Sequence, residues 1–171
     1  MKKYLTILAA ALMLCACSQP AKQFAGKVVS VADDNSIVVV DSANVAQSFV
    51  LPEGTTVLPG CPVVVKYTGN LNDTASIKAS EIACDSTFVE AIGTWMNADA
   101  KGLKIDAAGV ASAVNCDSLM ISTWELTGTP HAIVVKGMQV NPKDTTEYVE
   151  NVTIAGNVMT DQAGATFTKQ E

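Results

Sequence analysis

The sequence predicts an all-β protein built from two successive barrels, a small one of five strands followed by an up-and-down one of about eight short strands. The chain is rich in Val, Thr, Ala and Gly and poor in Leu, which is typical of strands. Short apolar stretches recur at close spacing, with Gly, Pro, Asn and Asp between them. Only residues 86–91 have a pattern that favours a helical turn.

The N-terminus has the layout of an export signal. A positive start over residues 1–3 precedes an apolar run over residues 4–14, which is too short to span a bilayer. The run ends in Leu14-Cys15-Ala16-Cys17, which resembles the bacterial lipobox. That resemblance implies a lipoprotein signal peptide over residues 1–16, cleavage before Cys17, and acyl chains on Cys17 that bind the membrane. The alternative is a plain secretory signal with an incidental cysteine.

The charge balance excludes some partners. Removing residues 1–16 takes two lysines from the 11 basic residues and leaves nine against 17 acidic ones, a net charge of −8. The sequence contains no arginine. Nucleic acid is therefore not an expected partner, and the acyl chains must supply the membrane attachment. We expect the protein in the cell envelope at the outer membrane, with its periplasmic or surface side left open.

The first part of the mature chain predicts a linker and a small barrel. Residues 17–24 are polar and are expected to be the linker, and residues 25–84 the barrel domain. Strands are predicted over residues 27–31, 37–40, 47–51, 62–67 and 75–82, which is typical of an OB-like or SH3-like barrel. Asp33 and Asp34 fall in a turn and are interpreted as solvated.

The remainder, residues 87–171, predicts an up-and-down barrel. Strands are expected over residues 92–96, 103–105, 110–114, 120–126, 132–136 and 145–154, with two short strands after them.

Short motifs give this block a family resemblance. Gly93-Thr94-Trp95 and Ser122-Thr123-Trp124-Glu125-Leu126 resemble segments of lipocalin-like outer-membrane lipoproteins of Bacteroides-type bacteria, and residues 64–69 resemble the small N-terminal barrel of such proteins. The resemblance implies a lipocalin-like domain, a class that binds small apolar molecules. Lipocalins cap this tryptophan with an arginine, so Trp95 is expected to be buried at one end of the barrel without that cap.

Few residues suggest chemistry. His131 is the single histidine and adjoins Pro130 in a turn, so neither a metal site nor a catalytic constellation is predicted, and no cofactor is expected. The aromatic residues are candidates for barrel core or ligand contact, and an eight-stranded barrel is either filled by side chains or holds one small ligand. These candidates are Trp95, Trp124, Tyr148 and Phe167.

Three cysteines remain in the mature chain besides Cys17. A hairpin register that pairs Tyr67 with Lys78 places Cys61 and Cys84 opposite each other, and an oxidising compartment would permit a disulfide there. The alternative is buried free thiols, with Cys116 free in either case.

Exposed turns also carry a recurrent triplet of Asp, a hydroxyl residue and a methyl-bearing residue. It resembles the O-glycosylation motif of exported proteins in Bacteroides-type bacteria, with Ser42, Thr74 and Thr145 as the leading candidates. Turn propensity alone explains the same positions.

Two functions follow from the sequence. The first is a non-catalytic, membrane-anchored binding protein for a small apolar ligand or a peptide. The second is a structural or sensory envelope lipoprotein that has a filled barrel and acts through contacts with another protein.

Overall fold

The computed structural model describes residues 20–170, and all of them fall into two β-sheets, one short helix and their connections. The predicted signal peptide and Cys17 lie outside the described residues. None of the helices in residues 20–170 is long and apolar enough to cross a bilayer.

The first sheet is a five-stranded barrel that is nearly closed. Its strands are β1 (Lys22–Val31), β2 (Ser36–Val40), β3 (Ala46–Val50), β4 (Pro62–Asn70) and β5 (Asp73–Cys84). Their order is β3-β2-β1-β4-β5, so β1 pairs with both β2 and β4, and β3 approaches β5 across the gap. This order is that of an OB-type barrel.

Alternating apolar side chains fill the first barrel. Phe49 lies between Phe24 and Tyr67, with ring centroids 5.5 and 5.7 Å away. Val39 and Val65 are fully buried beside them. Asp33 and Asp34 are exposed in the β1–β2 turn, and hydrogen bonds from the side chain and backbone of Ser36 lower the pKa of Asp34.

Two details of the first barrel differ from the sequence prediction. β1 begins at Lys22, so the predicted linker over residues 17–24 overlaps the first three strand residues. Tyr67 pairs with Ala79, whereas Lys78 pairs with Thr68, so the predicted register was wrong by one residue. The ladder shifts between Lys66 and Tyr67 and leaves Ser80 as an extra residue in β5.

One helix connects the two barrels. The helix α1 (Ser86–Ala91) coincides with the predicted helical turn. The Asp85 carboxylate caps it by accepting hydrogen bonds from Thr87 N (2.9 Å) and Phe88 N (3.3 Å). This cap stabilises the first turn of the helix, which contains Phe88.

The second sheet is an eight-stranded up-and-down barrel, also nearly closed. Its order is β8-β7-β6-β13-β12-β11-β10-β9, and a single bridge from Val110 to Thr123 spans the seam between β8 and β9. The all-β prediction of two successive barrels is therefore confirmed. The strands are β6 (Gly93–Met96), β7 (Gly102–Ile105), β8 (Ala111–Val114), β9 (Leu119–Leu126), β10 (Ala132–Asn141), β11 (Asp144–Ala155), β12 (Val158–Thr160) and β13 (Thr166–Gln170).

Contacts define the ends of the two barrels. The β1–β4 pairing ends at Lys27 and Pro62, which lie at the junction with α1 and the second barrel, whereas Lys22 lies at the opposite end of that pairing. In the second barrel, β10 starts beside α1 and runs away from the junction to Asn141. The β10–β11 hairpin tip is thus remote from the junction.

Candidate functional site

The interior of the second barrel is filled. The cavity at its open end has a volume of about 30 Å³. That is the space of one water molecule, far below the several hundred Å³ of a typical ligand pocket. Of the two alternatives for this barrel, the geometry therefore favours the filled core. The cavity is lined by Leu103, Ile121, Val135, Tyr148, Glu150, Val152, Asp161 and Phe167.

Trp95 closes the junction end of this core. It is 0% exposed, and its indole N–H donates to the carbonyl of Ala91 at 2.8 Å. Instead of an arginine, Lys169 covers the ring, with Nζ 5.2 Å from the ring centroid, and donates to the carbonyl of Glu90 at 2.7 Å. Burial lowers the pKa of Lys169, and the Glu90 carboxylate partly opposes that shift. Sequence reasoning missed Lys169, although the register of β13 against β6 pairs it with Trp95.

Trp124 lies at the seam of the barrel, away from the small interior cavity. Its indole N–H donates to the carbonyl of Asp106 at 2.7 Å, and its backbone N–H donates to the carbonyl of Gly109 at 3.1 Å. Phe88 packs on the ring, with centroids 5.3 Å apart. Trp124 thus fastens β9 to the β7–β8 turn and forms one wall of the junction.

Tyr148 and Phe167 lie at the open end and are both half-buried. Burial raises the pKa of Tyr148 to about 12, and the negative charges of Glu150 and Asp161 add to the shift. The phenol therefore stays protonated at neutral pH.

A mainly apolar cavity lies between the barrels, and we call it the junction cavity. It has a volume of about 200 Å³. Phe88, Trp124 and Leu126 supply its apolar wall on the side of the second barrel, while Lys27 and Glu125 place charges at its rim. The remaining lining residues are Gly60, Pro62 and Gly109.

Gly60 permits the close approach that forms the junction cavity. Its φ is +89°, a conformation that side chains other than glycine rarely adopt. A Cβ at this position would collide with the carbonyl oxygen of Ala107 in the second barrel. Glycine is therefore required at this contact.

A shallow groove on the first barrel adjoins the junction cavity at Pro62, which lines both. Val64 forms its floor and is 39% exposed, and the small residues Ala25 and Ala83 pair with it on either side. The Lys66–Glu81 ion pair (2.8 Å) lies two residues further along the strands. The junction cavity and the groove therefore meet at Pro62.

The cysteines border the same region. Cys61 and Cys84 form a disulfide with their Cα atoms 6.2 Å apart, although the strand partner of Cys84 is Val63. Cys61 precedes the Pro62 wall, and Cys84 precedes the Asp85 cap of α1, so the disulfide joins the two segments that shape the junction. Cys116 is free and half-buried elsewhere.

His131 is exposed in its turn, as the sequence predicts, but it also has a structural role. Its Nδ1 lies 2.7 Å from the Glu90 carboxylate, and its backbone N–H donates to Thr87 Oγ1 at 3.0 Å. The β9–β10 turn is thereby fixed to α1. Within residues 20–170, no three His, Cys, Asp or Glu side chains converge as a metal site would require.

One comparison with known proteins gives a match. A family model described as lipocalin-like matches residues 88–169, from α1 to β13. The match covers the second barrel, which is therefore similar to lipocalin-like proteins, as the sequence predicts. No curated protein and no solved structure matches the chain.

Proposed function

We propose that this protein is a non-catalytic, membrane-anchored lipoprotein of the outer membrane that binds an apolar group in the junction cavity. The observation that carries the proposal is the contrast in volume between the filled barrel interior, about 30 Å³, and the junction cavity, about 200 Å³. The lipocalin-like class supports binding as the general function, but the site lies outside the barrel.

The shape of the site favours a peptide. A cavity of this size is smaller than a drug-sized pocket, so it suits one aromatic or branched side chain rather than a whole lipid. The adjoining groove along Val64 would hold the neighbouring residues of an extended segment. Lys27 at the rim supplies a positive charge that would orient it, whereas the Glu125 carboxylate is already paired with Lys136 at 2.6 Å.

Filling the junction cavity is expected to abolish binding of an apolar probe. Leu126→Trp should remove fluorescence enhancement of 1-anilinonaphthalene-8-sulfonate, because the larger ring occupies the space beside Phe88 and Trp124. The measurement is a fluorescence titration of the mature chain made without acyl chains. Ile121→Trp, at the half-buried barrel mouth, is the matched control and should leave the titration unchanged. Loss of binding only in the control would move the site to the barrel mouth.

A second candidate function rests on the filled interior itself. A lipocalin-like barrel without ligand space would serve as a rigid support in a structural or sensory lipoprotein that contacts another envelope protein. Native mass spectrometry of the purified protein separates the two functions, since a retained small molecule favours the first.

Lipidation is expected to depend on Cys17. Cys17→Ala should leave the precursor uncleaved and without acyl mass, because the signal is cut before the acylated cysteine. Wild-type protein should partition into detergent, whereas Ser18→Ala serves as the control and should be processed normally. Mature wild-type protein that stays in the aqueous phase and is cut elsewhere would contradict the lipoprotein proposal.

O-glycosylation stays a prediction. Ser42, Thr74 and Thr145 are all exposed at or beside turns, so a modifying enzyme could reach each hydroxyl. Intact-mass measurement of protein from its native host should exceed the acylated polypeptide mass by at least one glycan. A mass equal to that of the acylated polypeptide would refute the prediction.

A further inference from the structure

The strand β11 has a free edge at the end of the second barrel that is remote from the junction. On one side it pairs with β10 without interruption, from Ala132–Thr153 to Asn141–Asp144. On the other side, β12 pairs only with residues 153–155. Within the described residues, 144–152 therefore have no strand partner on that side.

The backbone groups on this edge can be assigned. Ile154 N donates to the carbonyl of His131, so the even-numbered residues of β11 turn toward β10. The odd-numbered residues Glu147, Val149 and Asn151 consequently direct their N–H and C=O groups to the free side. These groups are spaced as an incoming strand requires.

This edge lacks most of the features that normally protect edge strands. β11 contains no proline, lysine or glycine, and its ten pairs with β10 show no register shift. Val149, in the middle of this edge, is 48% exposed. The loop after β12 approaches only near Glu150, whose carboxylate accepts a hydrogen bond from Gln162 N at 2.8 Å. The portion toward the hairpin tip stays open.

The acidic residues near the free edge of β11 indicate which kind of strand could pair with it. Asp144, Glu147 and Glu150 lie on β11 and Asp161 lies beside it, whereas one lysine, Lys143, precedes β11 at the hairpin tip. Lys136, which lies opposite Val149, is already engaged with Glu125 at 2.6 Å. A second copy of β11 would add its own Asp144, Glu147 and Glu150 to an edge that is already acidic, so self-pairing is opposed by like charges. A strand with lysine or arginine at alternate positions would be attracted.

We propose that the free edge of β11 accepts an extended basic segment of a partner protein, which pairs with Glu147, Val149 and Asn151 as an additional antiparallel strand. This site is separate from the junction cavity and lies at the opposite end of the second barrel. The partner's main chain would provide the affinity, and its basic side chains would provide the selectivity.

The proposal is tested with a fluorescein-labelled peptide, Lys-Val-Lys-Val-Thr-Val-Lys, and the full acylated chain in neutral detergent. Fluorescence anisotropy should show binding, and amide hydrogen exchange should slow at Glu147 and Val149. Val149→Pro should weaken binding about tenfold or more, since it removes an N–H that faces the peptide but no bond to β10. Val149→Thr keeps the N–H and is the matched control.

A variant with reversed charge tests the same proposal if Val149→Pro is poorly folded. Glu147→Lys should weaken binding of the basic peptide and strengthen binding of its counterpart Glu-Val-Glu-Val-Thr-Val-Glu. Equal binding of the basic peptide to wild type and to a folded Val149→Pro variant would overturn the proposal, as would no binding to wild type. Concentration-dependent self-association that Val149→Pro removes would assign the edge to a second copy instead.

Discussion

Replacing Trp95 with alanine is expected to reduce the free energy of unfolding by about 3–5 kcal/mol, the range found for buried aromatic residues. Trp95 is fully buried, and its indole N–H donates a hydrogen bond to the carbonyl of Ala91, which connects the junction end of the second barrel to α1. The substitution would also expose Lys169 to a cavity and remove its contact with the ring. The loss therefore combines a cavity, a hydrogen bond and a cation–π contact.

Urea unfolding followed by circular dichroism measures this effect. Lys169→Met is the informative companion variant, because it keeps much of the side-chain bulk and removes the charge. Its cost should be about 1 kcal/mol, the scale of a partly buried cation–π contact. An unfolding midpoint unchanged by Trp95→Ala would show that this tryptophan does not anchor the barrel.

Local sequence was sufficient for the strands and the helical turn. Most predicted strands lie within one to three residues of those observed, because Asx turns and glycines mark the ends. The hairpin at residues 141–144 and the Asp106 turn, whose carboxylate accepts from Ala108 N at 2.9 Å, are examples. β10 and β1 are the exceptions, since β10 continues five residues beyond its predicted end at Lys136 and β1 begins five residues before its predicted start at Lys27.

Features that depend on pairing between distant segments were harder to predict. The early start of β1 follows from its pairing with residues 65–67 of β4. The register error near Glu81 follows from the extra residue Ser80, which alternation alone does not locate. Both features depend on tertiary pairing, which the local alternation of apolar and polar residues does not record.

The candidate site was the least predictable part. Trp124 was selected correctly as an important aromatic, but its sequence position could not show that it lies at the seam and packs on Phe88. The junction cavity exists because Gly60 allows two barrels to touch, and docking of that kind leaves no periodic signal in the sequence. Only the glycine and the nearby prolines mark the segment as unusual.

Removing the Cys61–Cys84 disulfide is expected to lower the free energy of unfolding by about 3 kcal/mol. The two residues are separated by 23 positions, and a loop of that size loses roughly this much chain entropy when it is closed in the unfolded state. The double variant Cys61→Ser and Cys84→Ser tests this without leaving one thiol unpaired. Cys116→Ser is the control and should change stability by less than about 0.5 kcal/mol, since Cys116 is free and outside the junction.

The disulfide also has a consequence for the proposed site. It joins the segment that ends at Pro62 to the start of α1, so its loss should loosen the junction cavity as well as the fold. Alkylation after unfolding without reductant should label only Cys116 among these three cysteines. Labelling of all three would exclude the disulfide. If the double variant were as stable as wild type and still bound the apolar probe, the disulfide would have no role in shaping the junction.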